Sequence, residues 1–311
     1  MNRDDYVEKM LSILSQQDKF QQIGDAKSND CTTQQERALQ AFLLRAKKSG
    51  HITKEAHEKI RPVGTTRPRM YGVPKTHKEG TPLRSILSMV NAPQHEMVKW
   101  LALLLEPVLE KYSAHTIKDT FELCGNIQRY SEEHDTTIAF MCSFDITSLF
   151  TNIPLEATIQ TCLDTLYRDE ELLTPSLPEN VLHKLLLKAT TEVEFSFDSI
   201  MYRQVDGVAM GSPLGLILAN IFVGHCESKI DEHLWPQFYN RFVVDTFSIF
   251  PAEDQGDMFY KALNSVHSAL RFTVEAESEG KLSFMDVLVH RKHDITRSVY
   301  RKPTFTGLYT W

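Results

Sequence analysis

Two aspartates each lie in a short apolar segment and could carry metal-assisted chemistry. Asp145 follows the residues AFMCSF, and Asp245 lies within RFVVDTFSIF. A carboxylate next to apolar residues is unfavourable unless a cation or hydrogen-bond donors stabilise it. If the two carboxylates lie on adjacent strands, they can share hard divalent cations such as Mg²⁺, an arrangement suited to phosphoryl or nucleotidyl transfer.

Other interpretations of these aspartates stay open on the residues alone. Thr147 and Ser148 follow Asp145, and aspartate is favoured at a helix N-cap, so Asp145 has a structural alternative. A metal-dependent phosphodiesterase is a further alternative, although the sequence has no third carboxylate or histidine cluster immediately beside Asp145. Isolated aspartates are common, and the spacing of these two does not by itself assign a function.

The segments that would position the aspartates resemble short strands and hairpins. The apolar run from about Thr137 to Asp145 predicts a buried strand, and FYNRFVVDTFSIFP predicts two strands around a turn. The segment VEFSFDSIMYRQVDG alternates and ends in Asp-Gly at Asp206, which predicts a hairpin turn there. Residues 1–60 carry apolar residues at three- and four-residue spacing and are expected to be helical.

Composition and charge narrow the class of protein. The 311 residues are 42% hydrophobic and 24% charged, which is typical of a globular chain with enough apolar material for a core. Helices are mixed with hairpins instead of following strict β-α-β order, so we expect an α+β fold with a mainly antiparallel sheet. Because the formal net charge is −7, a polyanion would have to bind at a local basic patch.

Cysteine usage and hydropathy indicate the compartment. The five cysteines form no Cys-x-x-Cys pair and no zinc-like spacing with histidine, which favours reduced thiols. The first residues lack the long apolar run of a signal peptide, and no segment reaches the ~18–20 apolar residues of a membrane span. We therefore expect an intracellular protein, nuclear or cytoplasmic, that does not cross a membrane.

The segment from residue 61 to 93 is rich in proline, glycine and cations. It reads RPVGTTRPRMYGVPKTHKEGTPLRSILSMVNAP. Proline and glycine at this density leave no room for a long helix. The segment is therefore predicted to be extended, rich in loops and locally basic.

Seven segments occur in an order that resembles the polymerase blocks of Penelope-like reverse transcriptases. They are YGVPKTHKEGTPLRSI, SFDITSLFTNIP, YRQVDGVAMGSPLGLILANIF, RFVVDTF, RFTVEAE, LSFMDVLV and SVYRKPTFTG. Together they span about residues 60–311. The shared order of all seven blocks makes the resemblance specific.

The resemblance implies an α+β right-hand polymerase built from fingers and palm. It implies an N-terminal helical extension at residues 1–60 and a reverse transcriptase domain at 61–311. Within that domain, fingers are expected at about 61–136 and an antiparallel palm sheet at about 137–311, with fingers helices inserted at about 155–192. The chain ends soon after the last block, so the thumb is expected to be absent or truncated, and the GIY-YIG endonuclease of such elements to be missing.

The resemblance also implies a role for each matching residue. Asp145 and Asp245 match catalytic ligands of two Mg²⁺ ions. Phe150 matches the aromatic floor of the nucleotide site, where a ring would exclude a ribose 2′-hydroxyl; its alternative is simple core packing. Met210 and Gly211 match the turn that lies against the nascent base pair, where a small residue permits close approach of the backbone.

Three cations match the fingers residues that hold the incoming triphosphate. They are Lys75, Lys78 and Arg84. Arginine can grip phosphate oxygens in a fork, and lysine acts as a point charge. The alternative for this set is a solvated basic loop.

Val244 departs from the family pattern. The family's catalytic hairpin resembles Arg-Tyr-Val-Asp-Asp-Thr-Phe, and Val244 stands where the first aspartate of the pair is expected. Valine has no lone pair for a cation, and metal stabilisation of the transferring phosphate is worth several kcal/mol. Loss of a principal ligand therefore predicts a rate lower by on the order of a thousandfold or more. Leu216 and Ser85 stand where the family usually has proline, which agrees with a decayed copy.

These features together predict an RNA-directed DNA polymerase domain of a Penelope-like retroelement, impaired at its metal site. Its partners would be an RNA template, a DNA primer and deoxynucleoside triphosphates. The alternative is a catalytically silent nucleic-acid-binding remnant that keeps the cations of the fingers and the scaffold of the palm.

Overall fold

A computed structural model of the chain describes residues 1–25, 32–76, 78–134, 140–291 and 295–302. Its helices, in chain order, are α1 (Arg3–Leu14), α2 (Thr32–Lys48), α3 (Lys54–Ile60), α4 (His95–Leu104), α5 (Glu106–Lys111), α6 (Thr120–Glu133), α7 (Leu149–Asn152), α8 (Leu155–Arg168), α9 (Glu179–Thr190), α10 (Pro213–Glu227) and α11 (Glu253–Ser265). A short 3-10 helix spans Glu232–Leu234.

The strands are short, and most are joined by tight turns. In chain order they are β1 (Phe20–Asp25), β2 (Arg69–Pro74), β3 (Leu83–Ser88), β4 (Phe140–Ile146), β5 (Glu194–Phe197), β6 (Ile200–Gln204), β7 (Phe238–Phe242), β8 (Asp245–Phe250), β9 (Phe272–Ala276), β10 (Lys281–Phe284), β11 (Val287–Arg291) and β12 (Ile295–Val299). Helices and mainly antiparallel strands are thus mixed along the chain, as the sequence predicts.

The chain forms two compact units, each made of two segments. Unit 1 comprises Met1–Lys111 and Phe150–Phe222, and unit 2 comprises Tyr112–Leu149 and Val223–Trp311. The boundaries of fingers and palm that the resemblance implies stay predictions.

Unit 1 contains a five-stranded sheet with the strand order β1-β6-β5-β2-β3. β5 and β2 pair in parallel, and the other neighbours are antiparallel. Helix α8 buries Leu155, Ile159, Cys162 and Leu166, a three- and four-residue spacing that gives the helix one apolar face. The sheet and its helices form the scaffold for the segments that carry the predicted nucleotide-binding residues.

Unit 2 contains a four-stranded antiparallel sheet, β7-β8-β4-β9, and a three-stranded antiparallel sheet, β10-β11-β12. One apolar core joins α6 and both sheets and includes the buried residues Phe247, Ile249 and Val289. The opposite face of the four-stranded sheet packs against α11, where the rings of Phe144 and Phe259 have centroids 5.8 Å apart. Both faces of the four-stranded sheet are therefore covered over most of their length.

The strands predicted around the two aspartates are confirmed. β4 ends one residue after Asp145, and the predicted residues 137–139 lie outside the described part of the chain. β7 and β8 form the predicted strand pair around a turn. Their positions follow from runs of apolar residues that are long enough for a buried strand.

Two expectations from the sequence are wrong. Residues 1–60 are not all helical, because Phe20–Asp25 forms the edge strand β1, which pairs with β6 through a register shift between Gln22 and Gly24. The β5–β6 hairpin turns at Asp198 and Ser199 instead of at Asp206, and both turn residues have positive φ, 43° and 66°. In each case pairing with a partner strand decides the structure, and the local sequence signal is weak.

Across the described residues, none of the helices combines the length and the apolar character that crossing a membrane requires.

Candidate active site

The two candidate aspartates are direct neighbours across two central strands of unit 2. β4 and β8 pair antiparallel, with Asp145 opposite Asp245. Cross-strand partners on one face have Cβ atoms about 5 Å apart, so their carboxylates can share a cation. Asp145 is half-buried and Asp245 is exposed. The structure therefore brings together the two acids that the sequence pairs; their catalytic role stays a prediction.

Other elements of unit 2 cover the sheet as far as the aspartates, and the end of the sheet that carries Asp245 is exposed to solvent. β8 is exposed at Asp245 and buried from Thr246 to Phe250. On the face that carries Asp245, the next inward-pointing residues are Phe247 and Ile249, which belong to the apolar core. The carboxylates thus lie at the rim of a rigid, buried sheet, where solvent or a ligand can reach them.

The third strand places a hydroxyl opposite Asp145, and its acid, Glu275, lies opposite Ser143 on the same face of the sheet. On β9, Thr273 lies opposite Asp145, and its hydroxyl donates to the Asp145 carbonyl at 3.4 Å. Within the ranges that the structure describes, no group of three or more His, Cys, Asp or Glu side chains is arranged to hold a metal ion. The two carboxylates fit one hard divalent cation that completes its coordination with water or substrate oxygens.

The turn between β7 and β8 consists of Val243 and Val244. Val243 has φ 57°, a left-handed conformation that is a genuine outlier for a β-branched residue. The Val244 carbonyl accepts a hydrogen bond from the Ile146 backbone N–H at 2.9 Å, so this residue extends the ladder of β4. The half-buried Val244 side chain offers only hydrocarbon next to the aspartates.

A buried ion pair lies beneath this turn. The Arg241 side chain is fully buried, and its Nε donates to Glu227 Oε1 at 2.8 Å. Arg241 Nη1 also donates to the Val243 carbonyl at 3.2 Å. Glu227 Oε1 accepts a second hydrogen bond from the Tyr239 hydroxyl at 2.7 Å, and burial raises the pKa of Tyr239 well above its usual value, with the Glu227 charge acting in the same direction. This network fixes the strained turn to the end of α10.

Phe150 lies in unit 1, five residues after Asp145 along the chain. Its carbonyl accepts a hydrogen bond from the Val208 N–H at 2.7 Å. Gly207 has φ 73°, and a Cβ at this position would lie 2.9 Å from the Phe150 carbonyl oxygen. The backbone of Phe150 is therefore held against the segment that leads into Met210.

Met210 and Gly211 form a turn against strand β3. The Met210 carbonyl accepts a hydrogen bond from the Leu87 N–H at 2.9 Å. Gly211 has φ 113°, and a Cβ there would lie 2.7 Å from the Leu87 carbonyl oxygen. Only glycine fits this position, because both the backbone conformation and the close approach exclude a side chain.

The three candidate cations belong to the β2–β3 hairpin. Arg84 lies on β3 opposite Val73, and Lys75 and Lys78 lie in the loop that joins the two strands. Lys78 and Arg84 are exposed, and Lys75 is half-buried. Leu87 of the same hairpin contacts the Met210–Gly211 turn, and the segment before that turn contacts Phe150. Backbone hydrogen bonds within unit 1 therefore link the segments that carry all six predicted nucleotide-binding residues.

The sequence did not single out the ion pair beneath the turn. Arg241 and Glu227 are separated by 14 residues, and each is of a type that is usually exposed. A weak signal exists in Glu227, which ends the almost wholly apolar helix α10. The left-handed φ of Val243 has no sequence signal, since valine is a poor residue for that conformation.

The fold is similar to that of several solved structures. No family model and no curated protein matches the sequence. The telomerase from Candida albicans, solved in complex with a TWJ fragment of telomeric RNA, is similar with a TM-score of 0.61 and 11% identity, over 78% of this chain and 48% of that one. Apo telomerase from Candida tropicalis is similar with a TM-score of 0.57 and 14% identity, over 82% of this chain and 53% of that one.

A structure described as an RNA-dependent RNA polymerase with vp4 and dsRNA is also similar. It has a TM-score of 0.51 and 9% identity, and the match covers 94% of this chain and 27% of that one. The chain spans about half the length of the telomerases and a smaller share of this polymerase. The mixed helices and antiparallel sheets of the chain therefore form a reverse-transcriptase-like polymerase fold.

Proposed function

We propose that this chain is the polymerase core of an RNA-directed DNA polymerase of the Penelope-like kind, and that its metal site is incomplete. The observation that carries the proposal is the direct pairing of Asp145 with Asp245 in a sheet of a reverse-transcriptase-like fold. The seven sequence blocks that resemble Penelope-like reverse transcriptases support the finer assignment. In this proposal the four-stranded sheet is the palm, and the β2–β3 hairpin belongs to the fingers.

The residues of unit 1 would bind and orient the incoming nucleotide. Lys75, Lys78 and Arg84 would neutralise its triphosphate, since phosphate oxygens are bound well by such cations. Gly211 would let the backbone approach the nascent base pair. Phe150 would exclude a ribose 2′-hydroxyl and so select deoxynucleotides.

The nucleic-acid partners would be an RNA template and a DNA primer. A likeness in fold to a telomerase that was solved with a fragment of telomeric RNA supports such partners. Because the chain as a whole carries a formal charge of −7, strand binding would depend on local groups of cations.

Asp145 and Asp245 would hold Mg²⁺, which when bound would stabilise the charge that develops on the transferring phosphate. Val244 weakens this site, because its side chain has no oxygen and its carbonyl accepts a hydrogen bond from the Ile146 N–H. The loss of one ligand at such a site would lower the rate by on the order of a thousandfold. We therefore expect a polymerase that binds its substrates and turns over poorly.

A catalytically silent nucleic-acid-binding remnant is the second candidate. The hydrocarbon of Val244 beside the acid pair favours it. This remnant would keep the cations of the β2–β3 hairpin and bind an RNA–DNA duplex with an affinity that falls with salt. Replacing Lys75, Lys78 and Arg84 by methionine would then weaken duplex binding and reduce its salt dependence.

Primer extension on an RNA template with Mg²⁺ separates the two candidates. The proposal predicts slow extension by the natural chain and a rate at least about a hundredfold higher for Val244→Asp. The matched control is Val243→Asp, which adds the same charge to the same turn at the wrong residue. Extension by the natural chain as fast as by Val244→Asp would refute the incomplete site, and no extension by Val244→Asp would favour the silent remnant.

A further inference from the structure

One face of helix α1 contacts the hairpin that carries the candidate phosphate-binding cations. Tyr6, Lys9 and Met10 have the spacing i, i+3 and i+4, which places them on one side of a helix. The Tyr6 hydroxyl accepts a hydrogen bond from the Gly72 N–H at 2.7 Å. A Cβ at Gly72 would lie 2.7 Å from Met10 Sδ, so β2 approaches the helix closely at this glycine.

Lys9 reaches from this face to the tip of the loop between β2 and β3. Its Nζ donates to the Gly80 carbonyl and, at 3.1 Å, to the Thr81 carbonyl. Gly80 and Thr81 both have left-handed backbones, with φ of 69° and 45°. The second value is unfavourable for a β-branched residue and persists only where its surroundings compensate.

The same loop holds Lys75 and Lys78 through backbone hydrogen bonds. The Lys75 N–H donates to the Pro82 carbonyl at 2.9 Å, which extends the β2–β3 ladder into the loop. The Lys78 N–H donates to the Lys75 carbonyl at 3.0 Å, and the Thr81 N–H donates to the Lys78 carbonyl at 3.1 Å. Successive backbone hydrogen bonds thus link Thr81 to Lys78 and Lys78 to Lys75, so the backbone conformation of Thr81 affects the positions of both lysines.

We propose that Lys9 of α1 is a positioning residue that fixes this loop in the shape that presents Lys75 and Lys78 to the phosphates of a nucleotide. The inference rests on the proposed function, and it gives a role to a segment that lies outside the seven polymerase blocks. Lys9 acts on the carbonyls of the loop, and the other two lysines act on the ligand. Without Lys9, the strained Gly80–Thr81 turn relaxes and the ligand must restore it on binding, which weakens affinity.

Binding of inorganic tripolyphosphate and of dTTP to the full chain, measured by calorimetry, tests this role. The variants are Lys9→Met, Lys9→Arg, Lys75→Met and the control Lys99→Met, which removes an exposed lysine of α4 that pairs with Glu96. We expect Lys9→Met and Lys75→Met each to bind about tenfold more weakly, a difference of ~1.4 kcal/mol. Lys9→Arg should bind like the natural chain because it can still donate to both carbonyls, and Lys99→Met should be unchanged.

Hydrogen exchange in the ligand-free protein separates positioning from direct contact. Lys9→Met should speed exchange of the Lys78 and Thr81 amides and leave the thermal midpoint within a few degrees of the natural value. If Lys75→Met weakens binding and Lys9→Met does not, the positioning role is wrong and the nucleotide site stands. If Lys9→Met weakens binding without faster exchange, Lys9 contacts the ligand itself. If neither lysine matters, the proposed nucleotide site fails as well.

Discussion

At the scale of single residues, the environment of Asp245 combines strain with an exposed charge. Val243 adopts φ 57° two residues before this aspartate, although a β-branched side chain disfavours that region. Conformations of this kind persist where the surrounding structure fixes them, and they cluster at functional sites. The side chain that this turn displays beside the acid pair is a valine, so the paired strands of the proposed metal site are present and one expected ligand is replaced by hydrocarbon.

Gly211 offers a direct test of the close backbone approach in unit 1. Gly211→Ala should destabilise the protein by at least ~2 kcal/mol, because φ is 113° and the new Cβ would lie 2.7 Å from the Leu87 carbonyl oxygen. Gly125→Ala is the matched control, since this exposed glycine lies in α6 with no atom within 4 Å of a new Cβ. The control should raise stability by up to ~1 kcal/mol. Urea unfolding measures the free energy of unfolding of both variants. Equal changes for Gly211→Ala and Gly125→Ala would contradict the structure around Gly211.

Apolar runs around Asp145 and Asp245 predict two strands, and the order of the blocks along the chain, through its resemblance to a polymerase family, predicts that these strands are neighbours. Both follow apolar runs, and the strands that those runs predict are adjacent in the sheet. The sequence could not predict that Lys9 contacts a loop 71 residues away, because a lysine on a helix is usually solvated. Contacts of this kind depend on tertiary packing and leave no local pattern.

At the scale of elements, the β7–β8 hairpin is anchored by a charged pair within an apolar environment. Arg241 is fully buried, and its partner Glu227 is almost fully buried at the end of α10. Removing one member of such a pair leaves the other charge without compensation, which is far less favourable than removing both. When either residue is changed alone, the β7–β8 hairpin should therefore no longer be held in place against the end of α10.

A double-mutant cycle tests this anchoring. Arg241→Met and Glu227→Met should each lower the free energy of unfolding by about 3–5 kcal/mol, and the double variant by much less than the sum. Lys99→Met, which breaks the exposed Lys99–Glu96 pair, is the control and should cost less than ~1 kcal/mol. Additive losses in the cycle, or an Arg241→Met loss no larger than that of the control, would rule out the anchoring role.

Apolar periodicity correctly predicts helices within residues 1–60 and the strands around the acids. The segment Leu155–Arg168 buries one apolar stripe, and its residue spacing alone identifies it as a helix. By contrast, β1 consists of FQQIGD, in which only Phe20 is buried. Such a strand exists because the edge of β6 supplies hydrogen-bond partners, and its own sequence has too few apolar residues to indicate it.

At the scale of the whole molecule, several partly buried histidines favour their neutral form. Burial lowers the pKa of His115, His225 and His267, and the Arg241 charge acts in the same direction on His115 while the Glu227 charge opposes it. In the unfolded chain a histidine titrates near ~6.5. The unfolded state therefore binds more protons as the pH falls below this value, and the folded state loses stability.

We expect the free energy of unfolding to be lower at pH 5.5 than at pH 7. The carboxylates whose pKa is lowered in the fold, Glu36, Glu58 and Asp169, still contribute at pH 5.5, because their contribution is lost only as the pH falls below their ordinary values. His115→Phe keeps a ring beside Trp235, which lies 4.3 Å from the His115 ring centroid, and removes one titrating group. Urea unfolding at the two pH values should show a smaller loss for this variant, and an unchanged loss would mean that His115 does not contribute.

In the proposed function, Asp145 and Asp245 form one divalent-cation site that Val244 leaves incomplete. Mn²⁺ accepts the same oxygen ligands as Mg²⁺ and is paramagnetic. Its binding to this site can therefore be measured as the loss of the electron paramagnetic resonance signal of the free ion during a titration. We expect the natural chain to bind Mn²⁺ weakly and Val244→Asp to bind it at least about tenfold more tightly. Val243→Asp should bind Mn²⁺ no more tightly than the natural chain. Adding Asp145→Asn to Val244→Asp should abolish the increase in affinity. Equal affinity of the natural chain and Val244→Asp, or a gain that survives Asp145→Asn, would contradict the proposed incomplete site.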